Sequence, residues 1–168
     1  MVSVKRLFIA LVTGLCVNAQ ATELSITLEI PSMNVAEYHN PYVAVWIMHS
    51  ASREITNGTV WYQIDENAEG EKWLKDMRLW WRRTGRSLDV PIDGVTAATH
   101  KPGTYNIDLN HITGELKPGP NQLYIEAARE VGGRELLSVE FDWPVQQAQS
   151  LTVQGETELG DIVVTLQP

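Results

Sequence analysis

Gln122-Leu123-Tyr124-Ile125-Glu126-Ala127-Ala128-Arg129, then Gly132-Gly133, then Glu135-Leu136-Leu137-Ser138-Val139-Glu140-Phe141-Asp142-Trp143 is the stretch that decides the fold class. Leu137, Val139, Phe141 and Trp143 recur at every second position, the period at which side chains return to one face of a strand. A Gly-Gly pair between two such runs reads as a turn. The segment predicts a long antiparallel hairpin.

The same signal extends in both directions. Leu24, Ile26, Leu28 and Ile30 alternate with Ser25, Thr27 and Glu29 until Pro31 ends the run, as expected of a half-buried strand. Pro41 to about Met48 is a second strand. Asn57-Gly58, between Ile55 and Val60-Trp61-Tyr62, reads as a tight hairpin turn or the end of a short loop, with a third strand from Val60 to Ile64. Gly103 to Leu109 is a further strand, Lys117-Pro118-Gly119-Pro120-Asn121 a turn, and Asp161 to Leu166 a last strand. One segment changes period. Trp73, Leu74, Met77, Trp80 and Trp81 fall at i, i+1, i+4, i+7 and i+8, which is one apolar helical face. An amphipathic helix is expected over about 71–84, stopped by Gly85. Residues 86–103 read as a loop. Six or seven strands joined by turns, with one inserted helix, predict a mainly β protein. The expected architecture is an antiparallel immunoglobulin-like β-sandwich in a single domain, 22–168.

The first residues carry a different message. Lys5 and Arg6 precede the apolar run Leu7 to Leu15, and Ala19-Gln20-Ala21 offers small residues at a cleavage site. This is the pattern of a secretory signal peptide over 1–21. The run is too short to span a membrane, and no second one of about 20 apolar residues follows. The lone Cys16 leaves with that segment, so no disulfide, thiolate nucleophile or thiolate ligand is expected afterwards. Removing two of the 13 basic side chains and none of the 21 acidic ones takes the net charge from −8 to −10. That argues against a grip on a nucleic-acid backbone, which needs a basic surface. The short signal points to a bacterial periplasm.

The most informative motif is Asp93-Gly94-Val95-Thr96-Ala97-Ala98-Thr99. It fits Asp-x-x-(Ser/Thr)-(Gly/Ala)-Ala-(Thr/Ser) and resembles the site at which extracytoplasmic FAD:protein FMN transferases attach FMN. Such sites occur in flavinylated subunits of sodium-pumping and Rnf-type respiratory complexes and in secreted flavin reductases. The resemblance implies Thr99 as the acceptor, with Asp93, Gly94, Thr96, Ala97 and Ala98 as the recognition segment. The residue types suit the chemistry. A hydroxyl must attack phosphorus and release AMP, a weak nucleophile that the transferase and its metal must activate. Small side chains keep the acceptor segment narrow enough to enter another active site.

A second resemblance spans nearly the whole chain after residue 21. Pro41-Tyr42-Val43-Ala44-Val45-Trp46, Lys72-Trp73-Leu74 with Trp80-Trp81-Arg82-Arg83, Pro102-Gly103-Thr104-Tyr105, and Ile125-Glu126-Ala127-Ala128-Arg129-Glu130 are similar to a family of predicted periplasmic proteins of unknown function. Its members occur fused to, or beside, FMN transferases and PepSY-type membrane proteins, and are sometimes labelled as similar to the flagellar hook-assembly domain. The resemblance implies an envelope electron-transfer setting, with iron uptake or reduction as a context. Family members commonly read Ser-Gly-Ala-Thr where this chain has Thr96-Ala97-Ala98-Thr99, and Ala97 lacks the backbone freedom of glycine.

Several other features have two readings. The helix tryptophans are core residues, or one of them, with Tyr42 or Trp46, stacks against a flavin ring. Lys72, Lys75, Arg78, Arg82, Arg83 and Arg86 form a solvated helix face, or Arg82, Arg83 or Arg86 meets the FMN phosphate, for which the forked guanidinium is suited. His100 adjoins Thr99 and is a candidate contact of the flavin. His39, His49 and His111 have no metal-binding spacing, although His39 and His111 could meet in space. No GxSxG, HExxH, glycine-rich phosphate loop or CxxCH is present. Two functions follow. One is an electron carrier with FMN on Thr99, served by an FMN transferase and a PepSY-type membrane donor. The other is an unmodified binding or adaptor module, linked to iron or other metal uptake.

Overall fold

The alternation of Leu24, Ile26, Leu28 and Ile30 becomes β1 (Glu23–Ile30), with all four side chains buried. The chain was described with a computed structural model, covering residues 22–64 and 67–168. The expected signal peptide, residues 1–21 with Cys16, lies outside the described residues. After β1 come β2 (Tyr42–His49), β3 (Ile55–Tyr62), a helical insertion, β4 (Thr96–Ala98) and β5 (Gly103–Asp108). β6 (Gly119–Ala128), β7 (Arg134–Trp143), β8 (Gln149–Gln154) and β9 (Asp161–Gln167) complete the chain. They form two sheets in the orders β5-β1-β9-β8 and β4-β3-β2-β6-β7. The result is the expected mainly β sandwich, and β6 and β7 form the expected hairpin, paired from Gly119↔Trp143 to Ala128↔Arg134.

The core divides into two layers. Between the sheets lie the β1 row, Val43, Val45, Ile47, Leu123, Ile125, Phe141, Ile162 and Val164. On the outer face of the five-stranded sheet, Ala44, Trp46, Val60 and Tyr62 pack against Leu74, Met77 and Trp80 of the insertion. β2 is therefore buried on both faces, which is why it reads as an unbroken apolar run.

Three expectations are corrected. Asn57-Gly58 is not a turn but lies inside β3. The β2–β3 register shifts there, Val45 facing Thr59 and Trp46 facing Asn57, so Gly58 is the extra residue of a β-bulge. A Cβ on Gly58 would stand 2.8 Å from the Leu109 side chain. The real turn follows His49 and closes with Arg53 at φ 63. The helix expected over 71–84 is divided: a 3-10 segment, Gly70–Asp76, gives way at Met77 to α1 (Arg78–Arg83), followed by a second 3-10 turn, Gly85–Ser87. With three residues per turn in the first segment, Leu74, Met77 and Trp80 form the inward row at spacing three, and Trp73 falls outside it, 46% exposed. The loop expected over 86–103 contains the short strand β4. β8 also forms where no strand was read.

Two carboxylates hold these layers in place. Glu126 on β6, completely buried, accepts the Leu79 and Trp80 backbone N–H groups at 3.1 and 2.8 Å and an Arg134 N–H at 2.6 Å. It caps α1 from a neighbouring strand. Glu135 at the start of β7 accepts the N–H groups of Glu156, Thr157, Glu158 and Leu159 at 2.6 to 3.0 Å, tying the β8–β9 turn of one sheet to the β6–β7 hairpin of the other. Burial works to raise the Glu135 pKa, but the N–H donors of Glu156, Leu159 and Thr157 and the Thr157 hydroxyl overcome it and hold the group below 4.5.

Glu126→Ala leaves two helix N–H groups and Arg134 without their acceptor. It is expected to cost about 3–5 kcal/mol in urea unfolding, as for a broken buried ion pair, and Glu126→Gln less. A loss below about 0.5 kcal/mol would mean that packing alone seats the insertion. For Glu135, a folded pKa below the unfolded one gives stability that is present above the unfolded value and is lost as pH falls through the folded one. Glu135→Gln is expected to be less stable than wild type at neutral pH, with the gap closing below pH 4.5. A gap independent of pH would contradict this account.

Candidate functional site

The Asp93–Thr99 segment folds in two parts. The first is a closed turn. The Ile92 carbonyl accepts the N–H groups of Val95 and Thr96 at 3.2 and 2.9 Å. The Thr96 hydroxyl donates to the same carbonyl at 2.9 Å and accepts the Ile92 N–H at 3.0 Å. Gly94 sits at φ 73 with nothing within 4 Å of a would-be Cβ, so glycine is needed there for conformation and not for space. Asp93 is exposed beside it. The second part is β4, which pairs in parallel with β3 through Val60↔Thr96, Trp61↔Ala97 and Tyr62↔Ala98. The Val95 carbonyl anchors the junction, accepting the Val60 N–H at 2.8 Å and the Thr59 hydroxyl at 3.0 Å. β4 is the edge of its sheet, and Ala97 packs against the sandwich core. Three residues are too few to show a period, which is why the strand was not legible.

Thr99 is the first residue past β4, and it is half-buried. Among the described residues its hydroxyl has no hydrogen-bond partner. It opens onto a cleft of about 340 Å³ lined also by Tyr38, His39, Asn40, Tyr42, Gln63 and Glu130. His39 sits between two carboxylates, Nε2 at 3.0 Å from Glu37 and Nδ1 at 3.5 Å from Glu130. Tyr42 and Glu130 also line the next recess, with Trp73, Asp76, Ala128 and Arg129. A third cleft of about 360 Å³ continues past Trp73 and Arg129 to Arg78, Val131 and Arg134. Shared walls join these clefts into a trench that narrows between Tyr42 and Trp73 to about 20 Å³, room for a single water, with Thr99 at one end and two arginines at the other.

Arg129 is the most constrained charge in that trench. Its Nε and Nη2 donate to Glu158 at 2.8 and 3.2 Å, with side chains only 6% and 3% exposed. Glu158 also accepts the Gly133 N–H at 2.6 Å. The Arg129 Cζ lies 5.6 Å from the Tyr38 ring centre, within cation–π range. Arg129 Nη1 and the Tyr38 hydroxyl oxygen are both buried, and neither has a partner among the described residues. Burial pushes the Tyr38 pKa up, with Arg129 pulling it the other way and Glu158 and Tyr105 adding to the rise.

The other candidate residues are placed as follows. His100 stacks on Tyr105 at 4.5 Å and meets Trp61 edge-on at 4.3 Å, so it belongs to an aromatic cluster and is absent from the cleft lining. Arg82 and Arg86 are exposed on the insertion and do not line that cleft. Trp80 is fully buried, its indole N–H donating to Asn57 at 3.0 Å. Trp46 is buried and stacked on Tyr124 at 5.1 Å. The aromatic rings that reach the trench are Tyr38, Tyr42 and Trp73. Among the described residues no group of three or more histidine, cysteine or acidic side chains is placed to hold a metal ion. Neither Tyr38 nor Arg129 is a candidate site residue from the sequence, although Arg129 lies in a segment that carries the family resemblance. Arg129 closes an apolar strand and meets Glu158 from 29 residues away, a pairing that leaves no local signal.

Among the described residues no helix is long and apolar enough to cross a membrane. Comparison with curated proteins finds no match, and comparison with solved structures finds none. Residues 23–161, from the start of β1 to the start of β9, match the family described as predicted periplasmic protein (DUF2271). The chain belongs to that family, and its place is the periplasm.

Proposed function

We propose that this periplasmic protein is an electron carrier whose cofactor is FMN, joined to Thr99 by a phosphoester. The observation that carries the reading is the contrast between the two threonines of the motif. The Thr96 hydroxyl is committed twice to Ile92, whereas the Thr99 hydroxyl is unpartnered among the described residues and opens onto the cleft. Thr99 is thus the one available nucleophile of the pair. Its Oγ1 forms the new bond to the FMN-side phosphorus of FAD as the phosphoanhydride bond breaks. AMP leaves, and the hydroxyl proton passes to a base of the transferase.

The residues present fit the group. A cleft of about 340 Å³ is at the small end of the range for ligand sites, about 300–1,000 Å³, and it is open to solvent on the side away from the narrow recess beside Trp73. His39 is the one basic side chain in the cleft lining, and it stands between Glu37 and Glu130. Arg82 and Arg86, outside that lining, have no part in this version. β4 presents one unpaired backbone edge, which a transferase can read by strand addition, with the small Ala97 and Ala98 side chains giving it room. When bound, FMN supplies the electron transfer, and the protein supplies attachment, shielding and the local charge. An FMN transferase and a PepSY-type membrane donor are the partners this function calls for.

Incubating the protein with an active FMN transferase and FAD, then taking an intact mass, tests this. Wild type, Thr99→Ser and Thr96→Ser are expected to gain one FMN each, and Thr99→Ala none. An unmodified wild type beside a modified control acceptor, or an unimpaired Thr99→Ala, would sink the assignment.

A further inference from the structure

We propose that two copies of this chain pair through β7, antiparallel and about a two-fold axis at Ser138, joining their five-stranded sheets edge to edge. Two observations carry it. The first is the state of the edge. β7 is the outer strand of its sheet, and among the described residues it pairs with β6 alone, in unbroken register over all ten residues. Its free side is therefore a long row of N–H and C=O groups open to another strand. Natural edges are blunted by a bulge, a proline, a lysine or brevity. β7 has none of these, and its one inward charge, Glu135, stands at its second residue. The other three edges are shorter: β4 has three residues, and β5 and β8 have six each.

The second observation is charge. Side chains alternate faces along a strand, so Arg134, Leu136, Ser138, Glu140 and Asp142 share one face, and all five are exposed. That row is basic at its start and acidic at its end, which is the pattern a two-fold interface needs to fit itself. With the axis at Ser138, Arg134 stands opposite the second copy's Asp142 and diagonal to its Glu140, within reach of a long side chain. Arg134 gives Nη1 to Glu126 and is still 36% exposed, so its other N–H groups can reach across. On the inward face Leu137 meets the second copy's Val139, which extends the apolar row between the sheets. Leu136, 36% exposed in the single chain, is covered by the stem of the facing Glu140.

Other arrangements lose this match. Parallel pairing in equal register sets Arg134 on Arg134 and Asp142 on Asp142, and like charges directly opposite are destabilising. Moving the antiparallel axis to Val139 puts Arg134 opposite Pro144 and Leu136 opposite Asp142. β7 lies at the opposite edge of its sheet from β4, so the pairing leaves both Thr99 sites open, and it stands or falls independently of what Thr99 carries.

Sedimentation of the protein recovered from the periplasm tests this. A reversible dimer is expected, weakened about tenfold by Asp142→Lys, because the change acts twice across the axis. Circular dichroism checks that the variant folds. The register has its own readout. No cysteine follows residue 21, and a residue on the axis faces its own copy at a spacing a disulfide can bridge. Ser138→Cys is therefore expected to give a covalent dimer on mild oxidation, whereas Leu136→Cys and Glu140→Cys, each facing a different residue, are not. A monomer at every concentration, a dimer indifferent to Asp142→Lys, or cross-linking at Leu136→Cys as readily as at Ser138→Cys would overturn the proposal.

Discussion

Glu126 is the group on which the outer half of this molecule depends. A carboxylate in the middle of a strand, with no exposure to water, is tolerated only if its acceptor sites are filled. Here they are filled by the first N–H groups of α1 and by Arg134. α1 has six residues and no side-chain cap of its own, and a helix that short is not stable in isolation. It exists because β6 completes it. Once α1 is fixed, Trp80 drops onto Trp46 and Val60. The 3-10 segment before α1 is then constrained as well, and Trp73 stands at the lip of the trench.

The other end of the trench is set by the β8–β9 turn. Glu135 gathers four consecutive N–H groups of that turn, which places Glu158 beneath the β6–β7 hairpin. Glu158 in turn fixes Arg129. The clefts thus take their polar walls from the β1–β2 connection, the insertion and the β6–β7 hairpin, with Arg129 held from behind by the β8–β9 turn, and take Thr99 from the end of the edge strand. Neither half would hold its geometry if the sheets slid. The inter-sheet packing of β1 against β2 and β6 therefore acts on the site even though none of those side chains reaches it.

What was legible in the sequence is what repeats locally. The β1 alternation and the β6–β7 hairpin carry their period in adjacent residues, and both stand as read. The errors share a cause. Asn57-Gly58 has the composition of a turn, but its conformation is dictated by Trp80, whose indole N–H is held by Asn57, and by the bulge opposite Val45. The insertion has an apolar face, but 3-10 winding moves Trp73 off it. The motif at Asp93 was visible as a string of residue types. That its two threonines differ, one tied to Ile92 and one open, depends on four-residue turn geometry that residue types alone do not express. The Arg129–Tyr38 contact lies further still from view, since it joins the connection after β1 to the end of β6.

The trench also gives a reason for a covalent link on the proposed reading. The Thr99 cleft is small, about 340 Å³, and useful noncovalent retention needs most of a ligand's surface to be buried. A site of this kind releases a small ligand readily. On that reading, a phosphoester at Thr99 would replace affinity with attachment. A tethered group would sample the cleft at an effective concentration set by a short tether, on the order of millimolar, so contacts too weak to capture a free molecule would suffice to orient it. The open wall that would be a defect in a noncovalent site becomes useful to a carrier, because the ring edge must come within reach of its donor and acceptor. A deep pocket would hold the cofactor better and serve electron transfer worse.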